Sequence, residues 1–252
     1  MTLFQIQSLI FVGMIFESFI IIFSSILLIL ILKRYFIKRH KLTLNLFLIF
    51  LSWTCAIIFS WLSKVIILYS GIPYLAEGST MDPSTPESWI LFRIAEFRIS
   101  FMFVTIGTIL SYVLKVNAFD TEINKTQSII VYSIGIFTIF YSLIVYERGT
   151  VILDVFAFLL VLIIITIVYV PFMVSSFKTA KSVDDMTFKR AFQSLALMSL
   201  CLILVLVMFL IDRIFILLGS PGFTIFYFLA WIFVISAFLG AYLGYIRPKS
   251  TE

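Results

Sequence analysis

The stretch "VILDVFAFLLVLIIITIVYVPFMVSSF", residues 151–177, carries one charged side chain in 27 positions. A run this long has two homes, the centre of a large core or the hydrocarbon of a bilayer. About 20 apolar residues suffice to cross the latter as a helix. Six further runs of similar character follow the same logic. The spans read Ser8 to Leu32, Leu42 to Tyr69, Pro86 to Leu114, Ser128 to Tyr146, Val151 to Phe177, Ala191 to Leu218 and Phe223 to Ile246. At 1.5 Å of rise per residue, each is long enough to cross a hydrocarbon core of about 30 Å, the shortest, Ser128 to Tyr146, only just. The runs are continuous rather than short and alternating, which excludes a transmembrane β-barrel. The expected fold is therefore all-α, one polytopic seven-helix domain over residues 1–252, multi-pass in the cell membrane with the lipid bilayer as its first partner.

Orientation is read from Lys and Arg. The connection "KRYFIKRHK" holds five cations, and the flanks of the third and fifth connections and the C-terminus supply eight more of the chain's eighteen. The alternate connections hold Glu77, Asp82, Glu87 and Glu147 with only Arg148. The positive-inside rule then puts the C-terminus in the cytoplasm and the N-terminus outside. The N-terminus lacks a basic n-region and a cleavage site, so the first span is expected to be retained. In "STPESW", Thr85 suits a helix cap, Pro86 the first turn and Glu87 the positive helix end. "SVDDMTFKR" reads either as a helix start capped by Asp184 or Asp185, or as a solvated loop.

With 62 % apolar and 12 % charged residues, the chain spends its charges sparingly. Yet "LFRIAEFRIS", residues 91–100, holds Arg93, Glu96 and Arg98. Counting at 1.5 Å per residue from the basic ends, Arg98 lies about 25 Å up, Glu17 about 24 Å, and Lys64, Asp154, Asp212 and Arg213 about 33–36 Å. Every charge within a span thus falls in the outer third, and the eight sum to zero. Unpaired charge in hydrocarbon is costly, so these groups should pair, face the bundle or meet water. Arg93 and Glu96, three apart on one helix, can pair. Glu96 and Arg98 point to opposite sides, which places the third span centrally. The cluster reads either as a salt-bridge staple of the outer ends or as an outward-opening cavity for a small polar or zwitterionic ligand.

Other chemistries lack parts. A single histidine, His40, leaves too few ligands for a zinc site, and no metal is expected. Cys55 and Cys201 lie in apolar runs and read as core thiols. No nucleophile–base constellation is present, so no enzyme is expected. Nothing suggests nucleic acid as a partner. Gly240 and Gly244 form a small-xxx-small step that permits close helix packing, within the bundle or between two copies of the chain. Pro171 should kink the fifth span.

Seven spans with the N-terminus outside resemble the microbial rhodopsin outline. "RIAEF", residues 93–97, is similar to the Arg-x-x-Asp step of ion-pumping rhodopsins, which would make Glu96 the counter-ion position and Arg93 its partner. "ISAFLGAY", residues 235–242, resembles the retinal-bearing segment of the last helix, but Phe238 stands where the lysine would be. The seven-helix sensor regions of prokaryotic histidine kinases are similar in outline, with this chain as a stand-alone version. The resemblance implies a receptor-like, sensory protein that signals to a separate cytoplasmic protein, without covalent retinal or another cofactor. The rivals are a small-solute transporter and a structural subunit of a membrane complex.

Two outcomes are expected. Cysteines placed in the 74–84 connection should label from outside intact cells while those at 35–40 do not; reversed labelling overturns the orientation. All-trans retinal should give no borohydride-reducible adduct with the purified protein, because the last span offers no amine.

Overall fold

A computed structural model describes residues 3–70, 84–119, 125–147, 150–220 and 222–246. The acidic residues Glu77 and Asp82 and the basic residues Arg148, Arg247 and Lys249 lie outside them. The described residues are all helical in architecture. The order is α1 (Leu3–Lys38), α2 (Lys41–Tyr69), α3 (Pro86–Ala95), α4 (Arg98–Ala118), α5 (Lys125–Ile144), α6 (Val151–Ser182), α7 (Met186–Leu217) and α8 (Ile225–Ala241). A π-helical turn, Tyr242–Ile246, extends α8.

Seven of these helices are long and apolar enough to cross a membrane. Their outer faces agree: Phe19 on α1 and Ile136 on α5 are each 66 % exposed, among many large apolar side chains left uncovered. Exposed apolar area on this scale suits a lipid surround. The seven helices mark a multi-pass membrane protein.

The third span differs from its expectation as one helix. It is broken at Glu96 and Phe97 into the short α3 and the longer α4. Thr85 and Pro86 start α3 as the sequence suggests, with the Thr85 hydroxyl accepting from the Ser88 N–H. Asp185 caps α7 through the Thr187 N–H, which decides between the two readings of that segment for the helix start. His40 adds a cap that composition could not reveal: its Nδ1 accepts from the Leu42 N–H at 3.3 Å.

Around the bundle α1, α2, α4, α6, α7 and α8 pack in a closed ring, α1 returning to α8. The α5 helix lies outside it, against α4 and α6. Of the spans, α4 is the most buried. A close approach joins α8 to α7. A Cβ at Gly240 would sit 2.9 Å from the Ser194 carbonyl oxygen, and one at Gly244 would collide with the Leu195 side chain. The small-residue step therefore faces the bundle's own α7. Pro171 lies inside α6, whose helical backbone continues from Val151 to Ser182. Cys55 and Cys201 are both free thiols.

Replacing Gly240 by leucine should drive α8 off the α7 backbone. The expected result is a loss of folded yield and a large fall in melting temperature in detergent. Leucine at Phe19, on the exposed face of α1, should leave both unchanged.

Candidate polar layer and outer cavity

At the break, Phe97 takes φ 63° and ψ 8°, the left-handed region. That conformation is strained for a bulky residue, and such strain costs on the order of 1–3 kcal/mol. The turn places the Phe97 ring between two cations. Lys64 Nζ lies 4.8 Å from its centroid and Arg213 Cζ 4.9 Å. A desolvated cation–π contact contributes about 2 kcal/mol, so two of them can offset the strained turn.

The same turn sends the three charges of "RIAEFRIS" in different directions. Arg98, fully buried, starts α4 and donates through Nη2 to Asp154 Oδ1 on α6 at 2.7 Å. Arg93 donates instead to backbone: Nε to the Leu143 carbonyl at 2.6 Å, Nη1 to the Trp89 carbonyl at 3.0 Å. Its guanidinium lies 3.9 Å from the Trp89 ring centroid and 4.8 Å from that of Tyr146. Arg93 therefore ties α3 to the end of α5, and it forms no ion pair with Glu96. The i,i+3 pairing assumed one unbroken helix, and the helix ends at that point. Glu96 is half-buried at the C-cap of α3.

A second ion pair joins α1 and α2. Lys64 Nζ lies 2.8 Å from Glu17 Oε1, with both side chains fully buried. The same oxygen accepts from Ser60 Oγ at 3.0 Å and from the Tyr227 hydroxyl at 2.5 Å. Three helices thus meet on one carboxylate oxygen. Asp212 does other work. Its Oδ1 accepts from the Thr224 N–H at 2.8 Å and from the Thr224 hydroxyl at 2.7 Å, and Thr224 in turn caps α8. Glu17, Lys64, Arg93, Arg98, Asp154, Asp212 and Arg213 thus take part in one belt of contacts. Among the described residues its ion pairs are Glu17–Lys64 and Arg98–Asp154. No cluster of metal-ligating side chains occurs among those residues.

Directly within this belt lies a cavity that the charge pattern alone could not locate. It measures about 70 Å³, counted as room for the centres of water molecules. Since one water needs roughly 10–15 Å³ by that measure, several fit. Its walls are rich in aromatic rings, among them Phe97, Phe101, Phe158, Phe209, Tyr227 and Trp231. Phe101 and Phe158 meet edge-to-face at 4.4 Å, and Phe209 and Trp231 at 5.4 Å. Asp212 and Arg213 also line it. Three polar side chains in the wall, Trp53 and Trp231 through Nε1 and Ser100 through Oγ, are buried without a hydrogen-bond partner in the protein; Trp53 is shared with a second void, and Trp231 and Ser100 belong to this cavity alone.

Comparison with protein-family models, with curated proteins and with solved structures finds no match.

The belt makes a thermodynamic prediction. Glu17→Gln leaves the Lys64 ammonium buried without its counter-charge, and breaking such a pair costs about 3–5 kcal/mol. Adding Lys64→Met should recover most of the lost stability in a thermal unfolding assay in detergent, because both charges leave together. Arg93→Gln and Glu96→Gln should instead combine additively.

Proposed function

We propose that the protein is a receptor-like membrane protein of the cell membrane that binds a small ligand in its outer cavity and signals to a separate cytoplasmic protein. The observation that carries this reading is the pair of buried donors, Trp231 Nε1 and Ser100 Oγ, left without protein partners in the cavity wall. An unmet buried donor costs about 1–3 kcal/mol. A ligand acceptor placed there removes that cost, whereas a purely structural bundle would gain by replacing both groups with apolar ones. The ring walls favour a planar, mostly apolar body. The ligand chemistry supported best is therefore a small aromatic carrying a carbonyl or carboxylate acceptor.

Strain supports the same reading. A left-handed phenylalanine in the cavity wall is the kind of local cost that persists where geometry serves binding. The signal would leave through the basic face, whose cations suit contact with an acidic protein surface.

Transport is the second reading. Its support is the interruption of the third span, since transporters place broken helices at their binding sites. Uptake separates the two, because a receptor need not move its ligand across the bilayer.

The test uses benzoate as first probe within a panel of small aromatic carbonyl and carboxylate compounds. Binding should raise the melting temperature of the wild-type protein and alter tryptophan fluorescence. Ala56→Leu, which fills the cavity from α2, should retain the fold and lose both responses. A panel without effect, or equal effects on both proteins, would count against the cavity as a ligand site. Accumulation of the same compound in proteoliposomes would favour transport.

A further inference from the structure

Between the charged belt and the basic helix ends, which begin at Lys33, Lys115 and Lys178, the ring carries no charge, but it is not wholly apolar. A small void lies there, lined by Trp53, Ser111, Tyr169 and Tyr245 together with apolar side chains including Leu46 and Phe172. It measures about 10 Å³ as room for water centres, which is close to what one water requires. Apolar voids of this size stay dry, and polar ones with two to four partners hold water.

The partners are present. Ser111 Oγ–H donates to the Gly107 carbonyl at 2.8 Å, so the Tyr169 hydroxyl, 2.7 Å from Ser111 Oγ, is the donor of that bond. The Tyr169 oxygen keeps acceptor capacity. The Tyr245 hydroxyl is buried and has no hydrogen-bond partner in the protein. The Trp53 indole N–H reaches toward the Tyr169 hydroxyl without closing a hydrogen bond of ordinary geometry. Two donors and one acceptor therefore surround a space the size of one water molecule.

The structure assigns this void as a binding site for a single structural water, accepting from Tyr245 and Trp53 and donating to Tyr169. Its position gives it a further consequence. Trp53 also lines the outer cavity. Leu46 and Tyr245 also line a crevice of about 470 Å³ at the basic-loop end, beside Arg34 and His40. The water completes a polar thread from the wall of the outer cavity to the wall of that crevice, through a part of the bundle that has no charge. The crevice end of the thread is the π-helical turn that carries Tyr245, a backbone irregularity often found where helices serve function. This site stands independently of whether the outer cavity holds a ligand.

Tyr245→Phe provides the test, because the sign of its effect separates the two states of the hydroxyl. If water bridges it, the substitution removes hydrogen bonds and the melting temperature in detergent falls by about 2–4 °C. If the hydroxyl is an orphan, the substitution removes a desolvated polar group, and the melting temperature stays or rises. The second measurement is the double variant Tyr245→Phe/Tyr169→Phe. Both tyrosines hold the same water, so the double loss should be clearly smaller than the sum of the two single losses. A stable or more stable Tyr245→Phe, or strictly additive losses, overturns the assignment.

Discussion

A left-handed turn at Phe97 organises the half of this protein that lies away from the basic connection between α1 and α2. It ends α3, begins α4 and sets one aromatic ring between Lys64 and Arg213. Neither cation could be left in an apolar bundle unaided, since desolvation of an ammonium or guanidinium is costly. Lys64 is neutralised by Glu17, and the quadrupole of Phe97 adds attraction on its other side. The break thus converts a stretch that would crowd three charges on one helix into three separate anchors: Arg93 to the end of α5, Phe97 to α2 and α7, Arg98 to α6.

The cavity follows from this arrangement. Ion pairs hold helices together at their contact points, but Glu17–Lys64 and Arg98–Asp154 lie on different helix pairs. Helices α2, α4, α6, α7 and α8 line the space among these contacts, and rigid rings cannot close it as aliphatic chains would. The belt and the cavity share residues, since Arg213 and Asp212 line the space that the belt surrounds. The belt holds the helix ends, and the space it encloses is bordered by donors whose needs the belt does not meet.

Much of the fold was legible because membrane insertion is a composition-level constraint. Each of the seven apolar runs has a long helix in its place, and the cap at Thr85 follows from local chemistry that needs no tertiary information. The break at residues 96–97 was not legible. Phe97 is an ordinary apolar residue, with neither glycine nor proline to announce a left-handed turn, and only contacts from α2 and α7 make that conformation worth its strain. The Arg93–Glu96 pairing failed for this reason: the spacing rule applies within a helix, and the helix had ended. The partners of Lys64 and Arg98 were equally out of reach, because residue depth restricts which charges can meet without selecting among them.

The uncharged stretch between the belt and the basic helix ends shows the limit of reading membrane proteins by charge. Charged side chains stand out against an apolar background, so the outer belt draws attention first. Hydroxyls and indoles do not stand out, because serine, tyrosine and tryptophan are common in spans and serve as helix contacts as readily as sites. Ser111, Tyr169 and Tyr245 come from α4, α6 and the π-helical turn, and no spacing in the sequence links them. Three-dimensional packing brings them to one void, beneath an indole that also walls the cavity above. A neutral thread of the kind proposed here is compatible with the proposed receptor role. It can change its hydrogen bonding at small cost, whereas moving a charge through the same low-dielectric interior would need groups to carry it, and among the described residues the walls of the inner void supply none.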